Sequence, residues 1–127
     1  MIQFTIPLPP VTKKNSQQIL MNKATGKTFV APSKKYREYE AQALWFVPRR
    51  GKPIAEPVNV KCIFYMPTHR RCDMTNLLEA VDDIMVKAGL LEDDNYTVIA
   101  AHDGSRVFYD KDKPRTEIEI ERLETNK

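Results

Sequence analysis

The segment from Asp73 to Asp94, DMTNLLEAVDDIMVKAGLLEDD, constrains the fold more than any other part of this chain. Leu77, Ala80, Val81, Ile84, Met85 and Ala88 recur at helical spacing, so one face must be buried. Asp73 or Thr75 suits the start of that helix as a cap, and Gly89, with Lys87 in the last turn, suits its end. At about 100° per residue, Asn76, Glu79, Asp83 and Lys87 form one polar stripe on the opposite side, with Asp73 at its foot.

The same segment carries seven carboxylates against a single base, Lys87. Hard oxygen ligands in that density suit a hard divalent cation. The basic run His69-Arg70-Arg71 stands immediately before it, so groups that attract phosphate adjoin a candidate cation site. That pairing points to metal-dependent chemistry on a nucleic acid. A solvated helix face would contain the same residue types, and the stripe alone does not separate the two readings.

The flanking segments supply strands. Val58 to Tyr65 (VNVKCIFY) is a strong strand signal ending at Met66-Pro67, and Val98 to Ala101 is a second apolar run after the acidic loop Glu92-Asp93-Asp94. Ile2 to Ile6 alternates as a strand that Pro7, Pro9 and Pro10 end. Thr12-Lys13-Lys14-Asn15-Ser16 follows as a cationic loop. Gln18 to Met21 and Thr28 to Ala31 form a predicted hairpin around a turn containing Gly26. Ser33 is placed to cap a helix running to about Trp45, with Tyr36, Tyr39, Ala43, Leu44 and Val47 at helical spacing and more suited to core than to base stacking. Pro48-Arg49-Arg50-Gly51-Lys52-Pro53 reads as a basic surface loop. Arg106 to Tyr109 and Thr116 to Ile120, split by Asp112-Lys113-Pro114, read as a further hairpin, with Glu117, Glu119 and Glu121 on a solvated strand face. Glu124 to Lys127 reads as a frayed tail.

A chain of 127 residues with 42% hydrophobic content is sized for one domain, here 1–127. The net charge of +3 conceals segregation: up to Glu56 there are ten Lys/Arg and three Asp/Glu, and beyond it ten and fourteen. A basic front half beside an acidic middle fits a phosphate-gripping surface next to a cation site. The opening MIQFTIPLPP lacks a basic leader and an apolar core, and no run approaches the ~18 residues of a membrane span, so a soluble cytoplasmic protein is expected. Two cysteines, Cys62 and Cys72, and two histidines, His69 and His102, provide no spacing for structural zinc. Cys62, inside an apolar strand, reads as a buried thiol.

The opening strand with IPLPPVTKKNS, the aromatic helix near Tyr36-Arg37 and the strand entering Met66-Pro67 and the basic run resemble one family, the RusA-like Holliday-junction resolvases, small phage and prophage endonucleases. The most specific part of the resemblance is Asp73-x-x-Asn76, Ala80, Asp83, Gly89 and Asp93-Asp94. It implies an α+β fold, a mixed sheet of hairpins with two main helices, in a homodimer. It also implies a Mg²⁺-dependent endonuclease, with Mn²⁺ as a possible substitute, acting on branched DNA and four-way junctions in recombination and repair.

By matching position, Asp73 and Asp94 inherit catalytic metal-ligand roles, with Asp93 beside them, and Asn76 and Asp83 inherit supporting roles. The family's commonest pattern is D-x-D-N-x-x-K. Here its second aspartate is Thr75 and its lysine is Glu79, a D-x-T-N-x-x-E variant. Glu79, one helical turn beyond Thr75, is long enough to serve as a third carboxylate, while the Thr75 hydroxyl can orient a water or cap the helix. Lys13, Lys14, Asn15, Arg49, Arg50, Lys52, Arg70 and Arg71 are the candidate DNA contacts, with Lys13, Lys14, Arg70 or Arg71 replacing the missing lysine charge. The alternative to cleavage is a branched-DNA-binding protein whose metal site is weakened.

Overall fold

The nine-residue strand β4 (Val58–Met66) organises the sheet because it is hydrogen-bonded along both edges. The computed structural model describes residues 1–13 and 17–123, with side chains except at 17, 18 and 30. Val60, Cys62 and Phe64 point to one side of β4 and are fully buried, as the period-2 geometry of a strand requires. On one edge, β7 (Arg115–Arg122) runs antiparallel to β4 and pairs outward with β1 (Ile2–Ile6). On the other edge, β5 (Ile99–Ala101) and then β6 (Arg106–Tyr109) run parallel to β4, one beside its start and one beside its end. The result is a mixed five-stranded sheet accompanied by a separate hairpin, β2 (Gln17–Met21) with β3 (Thr28–Pro32).

Arg106–Tyr109 and the strand at 116–120 therefore do not form the expected hairpin; β4 lies between them. The reason lies in the loop before β6. Between β5 and β6 the edge ladder is interrupted, and side chains close the gap. Asn59 Oδ1 accepts from the Asp103 N–H (2.7 Å), Asn59 Nδ2 donates to the Asp103 carbonyl (3.1 Å), and Ser105 Oγ accepts from the Cys62 N–H (3.0 Å). Gly104 turns there with φ of 85°. β6 thus continues the edge that β5 began.

Two helices cover the buried face. α1 (Lys34–Ala43) starts where the Ser33 hydroxyl accepts from the Tyr36 N–H, and it continues as a 3-10 turn, Leu44–Phe46. Tyr36, Tyr39, Ala43 and Val47 are buried, as their spacing requires. α2 (Met74–Lys87) buries Leu77, Ala80, Val81, Ile84 and Met85. The larger of these side chains contribute about 1.5–3 kcal/mol each when fully removed from water. The helix ends in a Schellman turn: Gly89 N–H bonds the Val86 carbonyl, Leu90 N–H bonds the Met85 carbonyl, and Gly89 has φ of 78°. No helix among the described residues is long and apolar enough to cross a membrane.

Candidate functional site

Because β4 ends at Met66 and α2 begins at Met74, the loop between them carries the basic run to the start of the helix. Asp73 occupies the N-cap position with extended backbone, and its carbonyl accepts from the Asn76 and Leu77 N–H groups. Its side chain makes no capping bond and remains exposed. The cap expected of this carboxylate is therefore absent, and the exposed side chain follows Arg70, Arg71 and Cys72 directly in the chain. Those two arginines, with Lys35 from α1 and Thr12 from the segment after β1, line an open cavity of about 520 Å³ that has no acidic residue in its wall. Lys35 was not among the residues singled out from sequence, because only the fold brings the start of α1 to this loop.

Further along α2, the polar stripe divides. Asn76 is half-buried and Thr75 and Glu79 are exposed. Asp83 is bonded to Lys13 at 2.9 Å, and both are partly buried. The Lys13 ammonium also lies 5.9 Å from the Tyr36 ring centroid, and Glu79 contributes to its electrostatic surroundings. Lys87 pairs with Glu40 of α1, so the far end of the stripe is a helix-to-helix contact. The stripe thus faces the chain after β1 and the helix α1, with Lys13 drawn onto it. Lys14 and Asn15 lie outside the described residues.

The acidic loop has its own order. Asp93 Oδ1 accepts from the Asp94 N–H and Oδ2 accepts from Asn95 Nδ2, and the Asp94 N–H bond is the main cause holding the Asp93 carboxyl below the usual carboxylate range. Asp94 is exposed, and its carboxyl is pushed upward by partial desolvation, by hydrogen bonding to Asp93, and by the charges of Asp83 and Asp93. Behind this loop lies a pair that sequence did not connect. Asp82, 8% exposed, meets His102 Nε2 at 3.0 Å, and its Oδ1 is buried without a hydrogen-bond partner. Burial pushes the Asp82 carboxyl up despite the histidine, and the Asp94 and Asp83 charges add to the rise. The available signal was position: Leu78 one turn before, and Met85 and Val86 one turn after, place Asp82 on the apolar side of the helix.

Among the described residues, no three Asp, Glu, His or Cys side chains converge closely enough to hold an ion. Zinc-type coordination finds no donor set there. Mg²⁺ is less demanding, since it retains waters and takes only one or two carboxylates together with substrate phosphate. Asp73 and Asp94 are both exposed carboxylates, of the oxygen type that such an ion takes.

The fold separates the two basic patches. Arg70 and Arg71 follow the end of β4, whereas Arg50 and Lys52 line a cavity with Glu56 and Arg122 at its start. About 26 Å of strand lies between these ends. Arg49 is exposed in the same distant loop.

A family model described as Endodeoxyribonuclease RusA matches residues 7–121, a span that includes the basic cavity, α2 and the acidic loop. A relative from Aquifex aeolicus (strain VF5), named Crossover junction endodeoxyribonuclease RusA, is 31% identical over 96 residues, which is 74% of this chain and 72% of the relative.

Proposed function

We propose that this chain, which belongs to the RusA endodeoxyribonuclease family, is a Mg²⁺-dependent endonuclease that nicks four-way DNA junctions symmetrically by phosphodiester hydrolysis. The observation that carries the reading is the exposed Asp73 carboxylate, uncommitted to its helix cap and one residue beyond Cys72 in the wall of the cavity lined by Lys35, Arg70 and Arg71. A backbone phosphate held by those cations lies beside a carboxylate suited to a cation. That is the juxtaposition phosphodiester hydrolysis requires.

In this reading Asp73 and Asp94 would hold the ion; the three acids do not converge as they stand, so Glu79 would join as a third carboxylate, in place of the usual aspartate, only on metal binding. Mg²⁺ held there would supply an acidified water and offset charge on the leaving 3′ oxygen. Arg70, Arg71 and Lys35 fix the phosphate and contribute the positive charge that the usual lysine would supply. Asp93 shapes the loop that presents Asp94, and Asp83 holds Lys13 against α2. The products are a 5′ phosphate and a 3′ hydroxyl. Two incisions need two sites, so the working form is a homodimer whose two-fold axis matches that of the junction.

A second reading, a junction-binding protein that does not cleave, is favoured by the lack of a converged three-acid cluster among the described residues. A synthetic four-way junction incubated with the protein, with and without Mg²⁺, distinguishes the two. Paired nicks on opposing strands in a denaturing gel, only with the metal, support the nuclease. A native-gel shift with no nicks supports the binder, and no shift rejects both.

A further inference from the structure

The rings of His69 and Tyr109 are stacked, with centroids 3.8 Å apart and planes inclined by 26°. Neither side chain is needed to fill the core. His69 is exposed, and Tyr109 retains 47% of its surface. Both are held by ordered backbone. Tyr109 is in register with Met66 at the end of β4, and the following Asp110 N–H bonds the Met66 carbonyl at 2.9 Å. The Asp110 carboxylate in turn accepts from the N–H groups of Asp112 and Lys113 and from Arg115, which fixes the turn after β6. On the other side, Thr68 Oγ1 accepts from the Arg70 N–H, shaping the loop that carries His69.

This stack adjoins the proposed site along the chain, through His69 on the same loop after β4. His69 is contiguous with Arg70 and Arg71, which line the basic cavity, and is four residues before Asp73. A phosphate bound by the arginines would bring its own nucleotide, or the next one, to the height of the rings. Paired bases inside a duplex are already stacked and cannot reach them. The bases at a strand crossover have lost a stacking neighbour and can. Aromatic side chains bind such bases without regard to sequence, because every base has a π-face.

Resting on the junction reading above, we infer that the His69–Tyr109 stack is a platform for a nucleobase unstacked at the branch point, with Arg70 and Arg71 gripping the adjacent phosphate. It adds recognition of DNA shape at the crossover to an otherwise electrostatic grip.

The test uses a four-way junction with 2-aminopurine at the branch point, in Mg²⁺-free buffer, and a plain duplex as control. Wild type and Tyr109→Phe should bind the junction alike and quench the probe. Tyr109→Ala should lose on the order of tenfold in junction affinity together with the quenching, while its duplex affinity stays at the wild-type level and reports an intact fold. His69→Ala should shift both readouts in the same direction. Junction affinity and quenching unchanged in both alanine variants would overturn the platform and leave the nuclease reading standing. Wild-type protein that binds neither DNA would overturn both.

Discussion

His102 is held between two acceptors: Nδ1 lies 2.8 Å from the Val60 carbonyl oxygen and Nε2 lies 3.0 Å from Asp82 Oδ2. A carbonyl can only accept, so Nδ1 carries a hydrogen, and the Nε2–Oδ2 contact needs a further proton on one partner or the other. The shifts agree with this. The hydrogen bond to Asp82 raises the His102 value above 6.5, and desolvation raises Asp82. The pair therefore retains its shared proton to higher pH than free histidine does.

A folded-state value raised above the unfolded one gives stability that is complete below about pH 6.5 and is lost as pH rises through the folded value. Thermal midpoints followed by circular dichroism should fall over that window. Asp82→Asn should flatten the dependence, since the amide Nδ2 can donate to a neutral Nε2. His102→Ala leaves Asp82 buried without its partner and should cost about 3 kcal/mol. A wild-type midpoint that is flat from pH 6 upward would refute the shared proton.

The Lys13–Asp83 pair, with side chains 32% and 23% exposed, should give a coupling of about 1 kcal/mol in a urea double-mutant cycle. Asp83→Asn also releases a cation toward the DNA. Junction binding should then show a steeper dependence on log salt, by up to about one unit. An unchanged slope would mean that Lys13 does not reach phosphate.

Gly89 ends α2 at φ of 78°, and a Cβ placed there meets nothing within 4 Å. Gly89→Ala should therefore cost about 1 kcal/mol through backbone conformation alone. Guanidinium unfolding measures that loss, and junction cleavage at saturating Mg²⁺ should be unaffected.

The elements that could be read from the sequence are those whose pattern is local. The stripe Leu77, Val81, Ile84 and Gly89 delimit α2 by themselves, and Tyr36, Tyr39 and Ala43 do the same for α1. Pairing was not legible where it depended on distant residues. Arg106–Tyr109 has the alternation of a hairpin arm, but its partner is β4, selected by the Asn59 and Ser105 side chains that close the edge between β5 and β6. The site shows the same division. The run Arg70-Arg71-x-Asp73 is contiguous and readable, whereas Lys35, the Asp82–His102 pair and the His69–Tyr109 stack exist only once separate segments meet.

Glu79 stands exposed on α2, within electrostatic reach of Lys13. If it is the third carboxylate, Glu79→Gln should slow nicking nearly as much as loss of Asp73 and raise the Mg²⁺ concentration for half activity. Thr75→Asp combined with Glu79→Lys should retain or regain nicking, while Glu79→Lys alone should be poor. A Glu79→Gln protein with unaltered rate and Mg²⁺ dependence would assign the residue to the solvated face.

If Asp73 and Asp94 serve the metal and not the DNA grip, comparing cleavage with binding on one four-way junction tests it most directly. Asp73→Asn and Asp94→Asn should each abolish Mg²⁺-dependent nicking while junction affinity is unchanged or tighter, because each removes a ligand charge and no phosphate contact. Nicking at the wild-type rate in either variant would contradict the site.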